Sequence, residues 1–129
     1  MLDTNTVSHF VRQHPAVVRR VVRVPIDSLC VSAITAGELW YGLAKRPEAS
    51  RLRAAVTEFL RRIEVVPWNV SAAERYGTVR ATSEQIGRPL GPLDLLIAAQ
   101  ALDVGSVLVT NDQAFRHIAE LPIEDWTVN

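Results

Sequence analysis

The chain is predicted to fold as an α/β protein with a mostly parallel sheet covered by helices on both faces. Two observations carry this expectation. Short apolar runs alternate with longer helical stretches, the order that parallel strands joined by crossover helices require. The runs "SLCVS", "IEVV" and "SVLV" are almost continuously apolar, as strands buried on two sides are. The 129 residues suit one domain, 1–129, large enough to bury a core.

Each element follows from local pattern. "MLDTN" reads as the tail of a short strand, and "TVSHFVRQH" as a short helix that ends before Pro15. "AVVRRVVR" alternates apolar and basic residues with helical spacing until Pro25, and "SLCVS" is the second strand. A helix over about 32–43 carries Ile34, Leu39, Tyr41 and Leu43. After the connector "KRPEA", "SRLRAAVTEFLRR" sets Leu52, Val56, Phe59 and Leu60 on one stripe with arginines opposite. "IEVVP" is a strand stopped by Pro67. "SAAERYGTVRATSEQIG" is a helix whose Ser71 and Glu74 match a capping box. "RPLGP" breaks the chain, Pro92 opens the helix "LDLLIAAQALD", and Gly105 ends it. "SVLVT" is a strand, "NDQAFRHI" a short helical turn, and "IEDW" the start of a last strand.

Composition narrows the function classes. Hydrophobic residues make up 48% and charged residues 22%, which describes a compact soluble protein rather than a disordered one. The formal net charge of zero argues against a strong non-specific nucleic-acid binder, though not against a nuclease. The charge is unevenly spread: residues 1–62 hold 10 basic and 5 acidic side chains, and residues 63–129 hold 4 and 9. All the basic residues except Lys45 are arginines, whose planar fork suits phosphate. Cys30 is the sole cysteine, so no disulfide forms within the chain, and its expected role is as a small hydrophobe. His9, His14 and His117 show no metal-binding spacing. Neither a signal peptide nor a membrane-spanning run is visible, so a cytoplasmic location is expected.

Four acids stand out. Asp3 and Asp112 follow strands, at the carboxyl edge where open parallel sheets build their sites. Asp94 lies in the first turn of a helix, and Glu38 about two turns into another. Each has an ordinary explanation: a frayed terminus for Asp3, a capping box with Thr35 for Glu38, the helix dipole for Asp94 and a turn cap for Asp112. Yet "ITAGELWYGL" and "GPLDLLIAAQ" place two of them in strongly apolar surroundings, where an uncompensated carboxylate is costly. Carboxylates that converge repel unless a cation joins them. An oxygen-only donor set suits Mg²⁺ or Mn²⁺ better than Zn²⁺.

Together "LDTN", "VSAITAGELWYGL", "GPLDLLIAAQAL" and "LVTNDQAFRHIAEL", with the closing "IEDW", resemble a PIN-domain nuclease, and more closely a VapC-type toxin of a bacterial toxin–antitoxin pair. The resemblance spans essentially the whole chain. It implies a three-layer α/β/α sandwich with a central, mostly parallel sheet. It also implies a Mg²⁺ or Mn²⁺ site formed by Asp3, Glu38, Asp94 and Asp112, and cleavage of cellular RNA, transfer or ribosomal. By the same resemblance the expected partners are a cognate antitoxin, an RNA substrate and a second copy of the chain. Asp3 would be the central ligand, Glu38 and Asp94 would complete the main site, and Asp112 would serve a second ion or its water. Thr4, Asn5, Thr35 and Thr110 are candidates to orient these groups. One departure is that only Met1 and Leu2 precede the first acid, so that either the true start lies upstream or the first strand is unusually short.

Arg12 to Arg23, with Lys45, Arg46 and Arg51, are candidate RNA-backbone contacts, and at least one of Trp40 and Tyr41 is expected in the core. Two other readings stand beside the nuclease. A non-catalytic PIN-like interaction domain would be favoured by loss of an acid, and none is lost. A haloacid-dehalogenase-like phosphatase would use Asp3 as nucleophile with a second Asp two residues on, where this chain has Asn5.

Overall fold

A computed structural model describes every residue except Pro89 and Asn129, so part of the expected break "RPLGP" lies outside the described residues. The described residues form four strands: β1 (Cys30–Ser32), β2 (Glu64–Val66), β3 (Leu108–Val109) and β4 (Ile123–Glu124). β1 pairs with β2 and β3 with β4, both parallel. Residues 1–3 join the two ladders. Leu2 bridges Val109 in parallel and donates its N–H to Cys30 O at 2.9 Å, while Asp3 N–H donates to Val109 O at 3.0 Å. The expected first strand is therefore a single bridge at the centre of the sheet.

Among the described residues six α-helices surround the sheet: α1 (Thr4–Val11), α2 (Pro15–Arg23), α3 (Ala33–Ala44), α4 (Ser50–Arg62), α5 (Val70–Gln85) and α6 (Pro92–Asp103). A 3₁₀ turn at Gln113–His117 occupies the predicted short helical segment. The period-2 alternation of the strands divides the interior into two cores. Met1, Cys30, Val66, Leu108 and Ile123 face one side, with α5, α6, Phe115, Ile118 and Leu121. Leu2, Val31, Val65 and Val109 face the other, with residues of α1, α2, α3 and α4. This alternation makes the fold a three-layer α/β/α sandwich.

The helices follow their sequence signals closely. α4 buries Val56 and Phe59 on the expected stripe, and its bounds are those of "SRLRAAVTEFLRR". α6 begins at Pro92 and buries every residue from Ile97 to Ala101, so it is covered nearly all round. Its alanines Ala98, Ala99 and Ala101 are wholly buried and let α5 approach. Gly105 (φ +67°) supplies the left-handed residue after α6, and Ser106 N–H then bonds back to Ala101 O at 2.9 Å.

Two expectations are corrected. The N-cap of α5 is Asn69, whose Oδ1 accepts from Ala72 N–H at 3.0 Å; no Ser71–Glu74 capping box forms. Ser71 is one residue inside the helix, and its hydroxyl donates to Asp103 on α6 at 2.6 Å. Pattern alone does not choose between two polar residues so close together. Asn69→Ala is expected to cost about 1 kcal/mol, a fall in Tm of about 4 °C, and Ser71→Ala clearly less; thermal unfolding of both variants checks this. Trp40 and Tyr41 are 44% and 64% exposed, so neither enters the core. The buried stripe of α3 is Thr35, Leu39 and Leu43, at i, i+4 and i+8, which leaves the two aromatics on the outer surface.

Candidate active site

Topology brings the four acids to one edge of the sheet. Asp3 follows Leu2, α3 with Glu38 follows β1, and Asp112 follows β3 by three residues. All three come from the carboxyl ends of parallel strands. Asp94 arrives from the amino end of α6, in its first turn.

Local structure holds each carboxylate. Asp3 is buried and caps α1: Oδ1 accepts from Thr6 N–H at 2.8 Å, and its other oxygen makes no hydrogen bond among the described residues. Thr6 is itself fixed by donation from its hydroxyl to Val109 O at 3.0 Å. Asp112 caps the 3₁₀ turn through Oδ1, which accepts from Ala114 N–H at 2.9 Å, and its own N–H donates to Thr110 Oγ1 at 3.0 Å. Glu38 Oε1 accepts from the Thr4 hydroxyl at 2.6 Å, and that hydroxyl lies 3.3 Å from Thr35 Oγ1. Asp94 Oδ2 lies close to Gly91, the residue that precedes α6.

Asp3 is thus no frayed terminus, and Glu38 caps nothing, since α3 is capped by Ser32. Asp112 does cap a turn, and Asp94 does sit at the positive end of a helix. These ordinary roles coexist with a shared site, because a cap occupies one oxygen of a carboxylate and leaves the other. Of the candidate orienting residues, Thr4, Thr35 and Thr110 make such contacts, whereas Asn5 is exposed on α1. Thr6 went unnoticed in the sequence; its signal is the three-residue spacing from Asp3 that an N-cap bond requires.

Electrostatics tie the four together. Asp94 is raised from 3.8 to about 6, first by burial and then by the negative charges of Asp112, Glu38 and Asp3. Among the described residues no Lys or Arg forms an ion pair with any of the four. The site therefore concentrates negative charge without a compensating side chain. No three His, Cys, Asp or Glu side chains among the described residues form a ready cage for an ion. The donor set is still a fit for Mg²⁺, which keeps several of its waters and takes only one or two carboxylates directly. Water between ion and carboxylate relaxes the demand for close convergence, while the uncompensated charge remains.

A larger cavity lies elsewhere. A groove of about 520 Å³ between α2 and α4 is lined by apolar side chains such as Phe10, Val21, Ile26 and Phe59, and contains none of the four acids.

The family model for the PIN domain matches residues 1–121. A tRNA(fMet)-specific endonuclease VapC of Salmonella typhimurium is 38% identical over 127 residues, covering 98% of this chain and 96% of that protein. The Shigella flexneri protein of the same description is 36% identical over 128 residues, covering 98% and 97%. Among solved structures, DNA-bound VapBC from Salmonella typhimurium aligns with a TM-score of 0.90 at 38% identity, over 98% of this chain and 96% of that one. VapBC2 from Rickettsia felis, bound to a DNA fragment from its promoter, aligns at 0.89 and 30% identity over 98% and 97%.

Proposed function

Since the chain belongs to the PIN-domain family, as a VapC-type ribonuclease toxin of a toxin–antitoxin system, we propose that it is a Mg²⁺- or Mn²⁺-dependent endoribonuclease that hydrolyses phosphodiester bonds in transfer RNA. The observation that carries this reading is the raised Asp94, coupled to the charges of three further carboxylates, none of the four in an ion pair with a Lys or Arg among the described residues. The RNA class is favoured by the two tRNA-specific relatives.

Asp3, Glu38, Asp94 and Asp112 would hold the ion, directly or through its waters. Bound there, it would make water a stronger nucleophile and neutralise charge on the phosphate and its leaving oxygen. The chain's own residues supply position. The Asp3 and Asp112 caps fix one oxygen of each carboxylate and so aim the other. Thr4 holds Glu38 at the distance its hydroxyl dictates, which ties α1 to α3 across the site. Water attacks phosphorus and the bond to the 3′ oxygen breaks, leaving a 5′ phosphate and a 3′ hydroxyl.

Thr4→Val keeps the shape and removes the hydroxyl. It is expected to lower kcat about 10- to 100-fold, with Thr4→Ser restoring most of it; single-turnover cleavage is the measurement. The function itself is tested by sequencing RNA ends after induced expression, beside an Asp94→Asn control. New ends in one RNA class, absent from the control, support the proposal. Identical end profiles in both would defeat it.

A cognate antitoxin belongs to the same reading, supported by the VapBC assemblies that the fold matches. So does a homodimer, for which the exposed Trp40 and Tyr41 offer an aromatic surface; a monomer mass by light scattering would exclude it. The interaction-domain alternative lacks a supporting observation, because all four acids are present. The phosphatase alternative is disfavoured by the exposed Asn5 at the place of its second acid.

A further inference from the structure

We propose that Trp68 and Gln100 form a clip that sets the position of α6 along its axis and so brings Asp94 to the other three acids. Both are positioning residues. The inference rests on the nuclease reading and deepens it, by naming what registers the one acid that no strand carries.

Asp3, Glu38 and Asp112 are placed by the sheet. Each follows a strand or the central bridge, and backbone hydrogen bonds hold those segments in register. Asp94 follows no strand among the described residues, since α6 comes after α5 in the chain. The N-cap of α6 is Gly91, which has no side chain to anchor it. The helix packs through Ala98, Ala99 and Ala101. Contact between small apolar groups is non-directional, so it holds a helix against its neighbours more firmly than it fixes the helix along its axis.

Two hydrogen bonds supply the missing register. Trp68 Nε1–H donates to Leu96 O at 3.0 Å, and Gln100 Nε2 donates to Pro67 O at 2.8 Å. Leu96 and Gln100 are four residues apart, on one face of α6, and they meet adjacent residues of one connector. That connector starts directly after Val66, the β2 residue paired with Ser32, and Ser32 caps the helix that bears Glu38. The path from Glu38 to Asp94 therefore runs through strand pairing and then the clip. Leu96 lies two residues beyond Asp94, about 3 Å along the axis, so there is little slack between clip and carboxylate.

The burial of Gln100 is an independent sign. It is 1% exposed, inside the buried run from Ile97 to Ala101. Its Oε1 is buried with no hydrogen-bond partner among the described residues. Turning the amide over would set Oε1 against Pro67 O, two acceptors face to face, so the orientation is fixed. An unpaired buried amide oxygen is a cost that leucine at this place would not carry. Packing does not account for a polar group here, whereas a directional bond to the edge of the sheet does.

The test joins steady-state cleavage of transfer RNA by the full chain, over a range of Mg²⁺, to the rise in Tm that Mn²⁺ produces without RNA. A wild type that neither cleaves nor responds to Mn²⁺ would refute the nuclease reading, and this inference with it. Given both wild-type responses, Gln100→Leu should keep its metal-free Tm within about 3 °C of wild type. Its kcat should fall about tenfold, with KM for RNA within about twofold. Half-saturating Mg²⁺ should rise about tenfold, and the Mn²⁺-induced rise in Tm should shrink to about half. Trp68→Phe keeps a ring beside Tyr76 and removes the donor; it should lower kcat about threefold at wild-type Tm. Ser71→Ala removes a bond from α5 to Asp103, at the far end of the same helix, and should change none of these quantities. Wild-type kcat and Mn²⁺ response in folded Gln100→Leu would overturn the proposal. Equal losses in Ser71→Ala would do so too, because any loosening of α6 would then suffice. A raised KM with unchanged kcat would assign the two residues to RNA contact instead, and would also overturn it. If Gln100→Leu melts far below wild type, Trp68→Phe decides: reduced kcat supports the clip and wild-type kcat overturns it.

Discussion

Asp94→Asn is expected to abolish RNA cleavage, by at least about a thousandfold, or ~4 kcal/mol of transition-state stabilisation, while making the metal-free protein more stable at neutral pH. Both effects have one origin. In the folded chain Asp94 is raised from 3.8 to about 6 by burial and by Asp112, Glu38 and Asp3. Below the unfolded-state value, Asp94 is protonated in both states and carries no penalty. Between about pH 4 and 6 the unfolded chain releases the proton that the folded chain retains, so stability falls as pH rises. Above about 6 the penalty is fully present. At face value it is about 3 kcal/mol, and the partial exposure of Asp94 reduces it to roughly 1–2 kcal/mol.

Asparagine carries no charge at any pH, so the variant should lose the fall in Tm between pH 4 and 6. At pH 7.5 it should melt about 4–8 °C above metal-free wild type. Differential scanning calorimetry across pH, beside a cleavage assay, reads both. A variant that is inactive because it is unfolded would reverse the sign of the thermal result, which keeps the two explanations apart.

Removal of divalent cations from the wild type is the second large effect. With a chelator present, cleavage should fall to background, and excess Mg²⁺ or Mn²⁺ should restore it. The structural argument is the unpaired negative charge, since no Lys or Arg among the described residues offsets it. An ion at 100 times its Kd stabilises the folded state by about 2.7 kcal/mol, a rise in Tm of about 10 °C. The rise should be large at pH 7.5, small at pH 4.5 where Asp94 holds its proton, and much reduced in Asp94→Asn. Cleavage that persists in chelator, or equal metal-induced shifts in wild type and variant, would contradict the four-acid site.

The elements that were legible in the sequence are those set by near neighbours. The stripe Leu52, Val56, Phe59 and Leu60 specified α4 to its ends, and Pro92 marked the first residue of α6. The strands were placed correctly because apolar runs between helices leave little alternative, although β3 has only two residues where five were expected. Cap choice failed where two polar residues competed, Asn69 against Ser71. Trp40 and Tyr41 lie outside the core, against expectation, because the helical phase that buries Thr35, Leu39 and Leu43 turns both aromatics outward.

The sequence by itself determined the order of the elements and the family, and it singled out the four acids as candidates. Those are properties of composition and of interactions a few residues apart, which repeat along any chain of this kind. Only the tertiary structure decided that Asp3, Glu38, Asp94 and Asp112, up to 109 residues apart, act on one another. It also decided that the Thr4 hydroxyl ties α1 to Glu38. The reason is that convergence depends on strand order and on the side from which each crossover returns. Those are fixed by burial of two opposite sheet faces at once, a condition on the whole chain that no local stretch contains.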